Sequence, residues 1–284
     1  MATLGTMLMM LKGEIAEQGM FPILQRVSDI GFKAVEVSQV PMDEANVGGL
    51  EKAKNELGLE VGAISVALKK APYPAIDALD TDWDKIISDA SRLGTRYARV
   101  GMMPLEAMSS LPALEEYCAE LDEGAARLAA EGITLCYHNH HVDLAKYDGE
   151  RIFDIVRRLA PNARFEIDLH WVQRGGANPV QVLKDYAGFV DLIHLKDYAI
   201  ATLDPAALKA RASGDMDAWQ RLWNGVVRFA PVGDGNMDWP AILAQAVESG
   251  TSYMFVEQDD LYGADVWECI TRSYEHVKRL GYAS

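Results

Sequence analysis

Residues 163–198 read ARFEIDLHWVQRGGANPVQVLKDYAGFVDLIHLKDY. Two short apolar runs, 163–172 and 190–198, flank a segment in which the apolar residues have helical spacing. A strand that is followed by an amphipathic helix and another strand is typical of a parallel crossover unit. The same alternation extends through the rest of the chain, so the sequence predicts an α/β fold built on a parallel sheet.

Eight such apolar runs alternate with eight helical segments. The runs are TLGTMLMM (3–10), KAVEVSQV (33–40), EVGAISVAL (60–68), RYARVGMM (96–103), ITLCYHNH (133–140), ARFEIDLHWV (163–172), VDLIHLKDY (190–198) and SYMFVEQD (252–259). No GxGxxG motif follows the first run, which disfavours an open dinucleotide-binding sheet. The count of eight therefore predicts a closed (β/α)8 TIM barrel that occupies residues 1–284 as a single domain.

A long segment, residues 199–238, interrupts this alternation after the seventh run. It is much longer than an ordinary βα loop, and it contains two helical stretches with Trp219 and Trp223 one turn apart. Because the βα loops of a barrel surround its active site, we expect a helical insertion on the C-terminal face, with both tryptophans packed onto the barrel. The insertion could also serve as a lid or as a docking element for a partner. The GDG at 233–235 is typical of a turn, with Asp238 capping the next helix.

Composition limits the partners that this chain can have. Its 284 residues include 27 Lys and Arg against 42 Asp and Glu, which gives a net charge of −15. Nucleic acids and anionic membranes need a basic surface, so neither is an expected partner. The three cysteines lie far apart and form no CxxC pair, which predicts neither disulfides nor a thiolate zinc site. The sequence lacks signal-peptide features and a membrane-length apolar run, so we expect a cytoplasmic protein.

Ionisable residues cluster near the ends of the last four runs. Side chains that share a strand face there are His138 with His140, Asp168 with Glu166 and His170, His194 with Lys196, and Glu257 with Asp259. Burying such groups is costly unless they pair or bind a metal. The pattern therefore indicates either one divalent cation or an ion-pair network that includes Lys196. Mixed imidazole and carboxylate ligands suit Mn²⁺, Zn²⁺, Co²⁺ or Fe²⁺ better than Mg²⁺.

Six segments resemble the sugar phosphate isomerase/epimerase family, whose barrel is like that of xylose isomerase. They are GFKAVEVS (31–38), YHNH (137–140), FEIDLHW (165–171), VDLIHLKDY (190–198), PVGDGNMDW (231–239) and FVEQD (255–259). The resemblance implies one divalent cation, with Mn²⁺ the expected ion and Zn²⁺, Co²⁺, Fe²⁺ and Mg²⁺ as alternatives. Its implied ligands are His138, Asp168, His194 and Glu257.

The resemblance also implies a reaction, which is removal of a proton next to the carbonyl of a keto-sugar or keto-glycoside through a metal-stabilised enediolate. Two positions depart from the family. Many relatives have a glutamate where this chain has His138, and several have a histidine where it has Trp171. We therefore expect His140 to replace the missing carboxylate as an acid/base group. The full set of expected catalytic residues is His140, Glu257 and Lys196, and the expected substrate contacts are Glu36, His170 and Trp171.

Other functions stay open at this point. Unlike acid and base groups also suit β-elimination, as in inosose dehydratase or the larger subunit of C-glycoside deglycosidases, which the N-terminal segment weakly resembles. Glu36 and Arg99 could instead form an internal ion pair. An apurinic endonuclease-like phosphodiesterase is disfavoured by the acidic charge and the ligand count, and a non-catalytic barrel subunit by the four ligands. We expect a homo-oligomer, and the deglycosidase resemblance leaves room for a small partner subunit.

Overall fold

Short strands with buried side chains pair in parallel and close on themselves in the computed structural model, which describes residues 2–71 and 76–283. The barrel strands are β1 (Thr3–Met7), β2 (Ala34–Val37), β3 (Glu60–Val66), β4 (Tyr97–Val100), β5 (Thr134–His138), β6 (Arg164–Asp168), β7 (Val190–Leu195) and β8 (Tyr253–Val256). Each strand pairs with the next, and β8 pairs with β1. The predicted (β/α)8 barrel is confirmed.

Helices surround this barrel, apart from the two that belong to the insertion after β7, residues 205–213 and 216–224. They are α1 (Lys12–Gln18), α2 (Met20–Ile30), α3 (Glu44–Leu57), α4 (Trp83–Leu93), α5 (Leu111–Ala130), α6 (Ile152–Leu159), α7 (Leu169–Arg174), α8 (Pro179–Asp185), α9 (Pro205–Ser213), α10 (Met216–Asn224), α11 (Trp239–Glu248) and α12 (Val266–Arg279). The main apolar core lies between barrel and helices. Within residues 2–71 and 76–283, no helix is long and apolar enough to cross a membrane.

The barrel interior changes from apolar to charged along the strands. An inner apolar cluster consists of Ala34, Ala63, Cys136, Leu192 and Phe255. Two residues further along β2, β5, β7 and β8, the residues on the same face are Glu36, His138, His194 and Glu257. Gly5 leaves room for the inner cluster, because a Cβ there would lie 2.8 Å from Phe255. The barrel interior is therefore apolar at the level of this cluster and charged nearer the C-terminal ends of the strands.

Two strands end earlier than predicted. β5 ends at His138, and His140 precedes a short 3-10 turn at His141–Leu144. β6 ends at Asp168, whose side chain accepts a hydrogen bond from the Trp171 amide and so caps α7. The prediction that His140 and His170 lie on strands was therefore wrong. In both cases a carboxylate favours a helical turn over further strand extension.

The insertion after β7 forms a two-stranded antiparallel hairpin, Asp197–Ile200 with Val227–Ala230, which carries α9 and α10. The two predicted helical stretches are confirmed, whereas the hairpin strands were not predicted. The prediction that Trp219 and Trp223 pack onto the barrel was wrong. Their rings pack against each other at 5.2 Å, and half of the Trp223 surface is exposed. The α10 helix therefore buries none of its own residues.

One buried carboxylate holds both ends of this insertion together. Asp197 accepts hydrogen bonds from the amides of Tyr198, Gly233, Gly235 and Met237 and from the indole N–H of Trp239. The predicted turn at 233–235 is therefore wrapped around Asp197. The predicted cap is also confirmed, because the Asp238 side chain accepts from the Ala241 amide. Asp197 thus links the HLKD segment to the GDGxxDW segment in the folded chain.

Candidate metal centre and active site

The four predicted metal ligands come from four consecutive barrel strands. His138 ends β5, Asp168 ends β6, His194 lies in β7 and Glu257 follows β8. Strand pairing sets them at similar heights, because Asp168 pairs with His194 and Phe255, two residues before Glu257, also pairs with His194. All four side chains are buried. The parallel register therefore gathers them at the C-terminal mouth of the barrel.

Short distances join these four side chains. The Nδ1 atom of His194 lies 2.7 Å from Oε2 of Glu257 and 3.9 Å from Oδ2 of Asp168. The rings of His138 and His194 are 4.5 Å apart. One ligand-type atom from each of His138, Asp168 and His194 lies within 4.8 Å of the other two. This spacing allows those three side chains to share one cation, with Glu257 beside them next to His194.

Hydrogen-bond geometry is poor at one buried atom of each of the four, although three of these atoms lie within 3.0 Å of a charged partner. The atoms are His138 Nδ1, Asp168 Oδ2, His194 Nδ1 and Glu257 Oε2. For His138, the nearest acidic atom is Oε2 of Glu166, at 3.2 Å. A cation bound among these atoms would give each of them a direct partner, so the four side chains fit a cation site.

Lys196 lies among the same carboxylates. Its Nζ is 3.0 Å from Oδ2 of Asp168 and 2.8 Å from Oε2 of Glu257, and it donates hydrogen bonds to both oxygens of Asp259. The ion-pair network that the sequence left open is therefore present. It uses the same oxygens as the cation site, Oδ2 of Asp168 and Oε2 of Glu257, so a bound cation would compete with Lys196 for them.

The buried side chains of this cluster carry more negative than positive charge. Its buried carboxylates are Glu36, Glu166, Asp168 and Glu257, and its buried cations are Arg99 and Lys196. Four negative charges against two positive charges leave two in excess. A low-dielectric interior penalises such an excess. One divalent cation would balance it, as would protons on neighbouring imidazoles.

The pKa shifts agree with that balance. Burial lowers the pKa of His194, but the carboxylates of Glu166, Glu36 and Glu257 outweigh burial and raise it well above its ordinary value. Burial raises the pKa of Glu257, but Lys196 and His194 outweigh burial and hold it well below. In the metal-free protein, a protonated His194 and Lys196 therefore neutralise the ligands. A cation that binds there must displace the proton on the ligating nitrogen.

His140 lies beside this cluster, although it is not on the strand. Its ring is 4.9 Å from that of His138 and 5.7 Å from that of Trp171. Its Nδ1 is buried and lacks a hydrogen-bond partner among the described residues. Burial and the nearby His138 and Lys196 lower its pKa to about 2. His140 is therefore a neutral imidazole in these surroundings, and its Nδ1 can accept a hydrogen bond.

Asp143 holds His140 in place, and sequence reasoning missed it. Its carboxylate accepts from the His140 amide at 2.5 Å and from the Tyr137 hydroxyl at 3.0 Å. The signal was an acidic residue three positions after His140, the spacing of a capping box. Asp143 fixes the turn at the end of β5, while the neighbouring His141 is exposed and stacks on Trp171.

The three expected substrate contacts lie in different surroundings. Trp171 is at the mouth, with its ring 5.1 Å from Lys196 Nζ. His170 has no exposed surface and stacks on Phe229 of the inserted hairpin at 5.0 Å. Glu36 is fully buried below the ligands, and its two oxygens contact Arg99 and His194 at 2.7 Å. The internal ion pair with Arg99 is thus formed, and Glu36 has no oxygen free for substrate.

The chain matches the xylose isomerase-like TIM barrel family over residues 24–269. It belongs to that family. Among solved structures, it is similar over 100% of both chains to a sugar phosphate isomerase/epimerase from Parabacteroides distasonis, with a TM-score of 0.75 and 17% identity. It is also similar to the probable 3-DHS dehydratase AsbF from Bacillus anthracis, with a TM-score of 0.67, 14% identity and coverage of 98% and 99%. These likenesses show a shared fold.

A sequence relative is the rhizopine catabolism protein MocC of Rhizobium meliloti, which is 25% identical over 172 residues. That match covers 60% of this chain and 50% of MocC. The chain thus spans about half the length of this curated relative.

Proposed function

We propose that this chain is a divalent-metal-dependent enzyme that removes the proton next to the carbonyl of a keto-sugar or keto-glycoside. The observation that carries this proposal is the ligand set itself. His138, Asp168, His194 and Glu257 come from four consecutive strands and bring buried imidazole nitrogens and carboxylate oxygens together in the barrel mouth. Membership of a family with sugar isomerases adds support for the substrate class.

The cation would be held by those four residues, two imidazoles and two carboxylates. Such a set suits Mn²⁺, our expected ion, and also Zn²⁺, Co²⁺ or Fe²⁺. When bound, it would supply Lewis acidity to the substrate carbonyl and a neighbouring hydroxyl and so stabilise the negative charge that develops on oxygen. The excess of two buried negative charges in the surrounding cluster supports a divalent ion.

The remaining roles belong to groups on the rim of this set. His140 has a free ring nitrogen beside His138, so we assign it proton transfer at carbon. Glu257 is the carboxylate nearest to Lys196, and we assign it the second acid/base role. The Lys196 ammonium, held by Asp259, would donate to a substrate oxygen. Trp171 lies against both His140 and Lys196 and would form one wall of the substrate site.

A second candidate is β-elimination on the same class of substrate. It is favoured by the chemical difference between the two rim groups next to Trp171, since His140 is an imidazole and Lys196 is an ammonium. One can accept the proton from carbon while the other stabilises or protonates the departing oxygen. Both reactions begin with the same proton removal, so they share the metal site and differ only in their later steps.

Hydrogen exchange tests the shared step. Metal-loaded protein is incubated in D₂O with ketoses, inososes and 3-keto-glycosides, and NMR follows deuterium next to the carbonyl. We expect metal-dependent incorporation that Glu257→Gln abolishes and that Glu131→Gln, a change of an exposed carboxylate, leaves intact. An epimer as product indicates epimerisation, and an unsaturated product indicates elimination. Absence of exchange with every substrate, together with absence of bound metal, would contradict the proposal.

A further inference from the structure

We infer that Glu36 fixes the ring tautomer of His194, so that Nδ1 is the nitrogen that faces the metal. This inference rests on the proposed metal site, because it concerns how that site is oriented. Glu36 is then a positioning residue below the metal, in contrast to the substrate contact that its sequence position suggested.

The two nitrogens of His194 face different carboxylates. Nδ1 lies toward the mouth, 2.7 Å from Oε2 of Glu257. Nε2 lies on the opposite side of the ring, 2.7 Å from Oε2 of Glu36, in a hydrogen bond across the barrel between β7 and β2. Oε1 of Glu166 is further from Nε2, at 3.4 Å. Both His194 and Glu36 are fully buried. Solvent therefore offers neither nitrogen an alternative partner.

Arg99 makes Glu36 an acceptor. Its Nε donates to Oε1 of Glu36 at 2.7 Å, and a terminal nitrogen donates to the Ser38 hydroxyl at 3.1 Å. A guanidinium can only donate, and an ionised carboxylate can only accept. With Oε1 held by Arg99, Oε2 is left to accept from Nε2–H of His194. The hydrogen on Nε2 leaves the Nδ1 lone pair for a metal, the arrangement in which a carboxylate orients a ligating histidine.

The position of Arg99 argues against the opposite orientation, in which Nε2 of His194 would bind the metal. Glu36, Glu166 and Nε2 of His194 also come close enough to hold an ion. However, the Arg99 Nε lies 2.7 Å from Glu36 and 3.4 Å from Glu166. A fixed cation therefore already occupies that side of the ring, and a second one would be repelled. The Nδ1 side, with Asp168 and Glu257, is the side open to a metal.

Glu36→Gln separates this role from simple packing. The amide oxygen would stay with Arg99, because Arg99 needs an acceptor, and the amide NH₂ would then face Nε2 of His194. With that NH₂ facing it, Nε2 becomes the acceptor, because Oε1 of Glu166 at 3.4 Å is too far to hold a hydrogen on Nε2. The ring hydrogen then moves to Nδ1 and opposes metal binding. We expect the Zn²⁺ affinity, measured by competition with a chromophoric chelator, to fall roughly 10- to 100-fold. Glu36→Asp, which remains an acceptor, should recover part of the loss, and Glu131→Gln should show none.

The ring nitrogens report the tautomer directly. In Zn²⁺-loaded wild-type protein labelled with ¹⁵N-histidine, long-range ¹H–¹⁵N spectra should show His194 protonated on Nε2 and metal-bound through Nδ1. Metal bound through Nε2, or a Glu36→Gln variant with unchanged affinity, overturns the inference while the metal site stands. A wild-type protein that binds no metal overturns the proposed function and this inference together. If Glu36→Gln does not fold, the wild-type spectrum still decides.

Discussion

The ammonium of Lys196 lies 2.8 Å from Oε2 of Glu257, the same oxygen that approaches the ring of His194. In the metal-free protein, this lysine thus compensates a carboxylate that the proposed cation would also bind. Lys196 and the cation would therefore neutralise the same carboxylates at the barrel mouth. Removing the charge of Lys196 should change both the stability of the protein and its stabilisation by metal.

Lys196→Met should destabilise the metal-free protein and increase its stabilisation by metal. The change leaves Asp168 and Glu257 buried with one cation fewer, and breaking a buried ion pair costs about 3–5 kcal/mol. Urea denaturation with chelator and with Mn²⁺ measures both effects. Lys85→Met is the matched control, because Lys85 pairs with Asp77 and Asp89 at the surface and should cost about 1 kcal/mol or less. Equal costs for the two variants would contradict this account.

Asp168→Asn should remove the metal and keep the fold. Oδ1 of Asp168 caps α7 through the Trp171 amide, and an asparagine oxygen can preserve that cap. Oδ2, which lies 3.0 Å from the ammonium of Lys196, would be replaced by an uncharged amide nitrogen that cannot bind a cation. Elemental analysis and circular dichroism measure the two outcomes. Asp238→Asn makes the same change at the cap of α11 and should retain the full metal content.

His138→Ala and His140→Ala should have opposite effects on metal and turnover. We expect His138→Ala to lose bound metal, because His138 is a ligand. His140→Ala should keep the metal and lose deuterium exchange by roughly 10²- to 10⁴-fold, the range for an acid/base group. His141→Ala changes the exposed neighbour and serves as control. If His140→Ala loses the metal while His138→Ala keeps it, the two assignments must be exchanged.

Asp143 should make stability decrease as pH rises through the weakly acidic range. Burial raises its pKa from 3.8 to about 6, against the opposing hydrogen bonds from His140 and Tyr137. Between those values, the folded protein keeps a proton that the unfolded chain has lost, so raising the pH favours unfolding. The free energy of unfolding of wild type minus that of Asp143→Asn should fall by roughly 2–3 kcal/mol across the window. A difference that is independent of pH would refute this.

Trp223→Ser should alter the oligomeric state and leave the metal site intact. Trp223 is half exposed on α10, and Leu208 and Met216 of the same insertion are also exposed. We predict a homo-oligomer that covers this apolar surface. Light scattering of the wild type should show more than one subunit, and the variant should dissociate more readily. Leu105→Ser, on an exposed side chain outside the insertion, controls for loss of apolar surface alone. A monomeric wild type would disprove the prediction.

The sequence predicted the barrel well because each strand is a short apolar run, and Asp168, His194 and Glu257 stand out where they interrupt such runs. It failed at His140 and His170, because a carboxylate ends the strand just before or beside each of them. Beyond the end of a strand, the alternation of side chains no longer predicts which way a residue points. The contact between Glu36 and His194 joins residues 158 positions apart. Only closure of the barrel brings β2 and β7 face to face, so local pattern cannot reveal it.

Asp197 fastens the first residues of the insertion to its last turn. The intervening chain is consequently a loop whose two ends are pinned beside each other at the end of β7. A change in the length of such a loop alters the entropy of closing it only slowly. The two helices between those ends can therefore be lengthened, shortened or replaced as a unit. Lys196, which directly precedes Asp197, would keep its position in the barrel mouth.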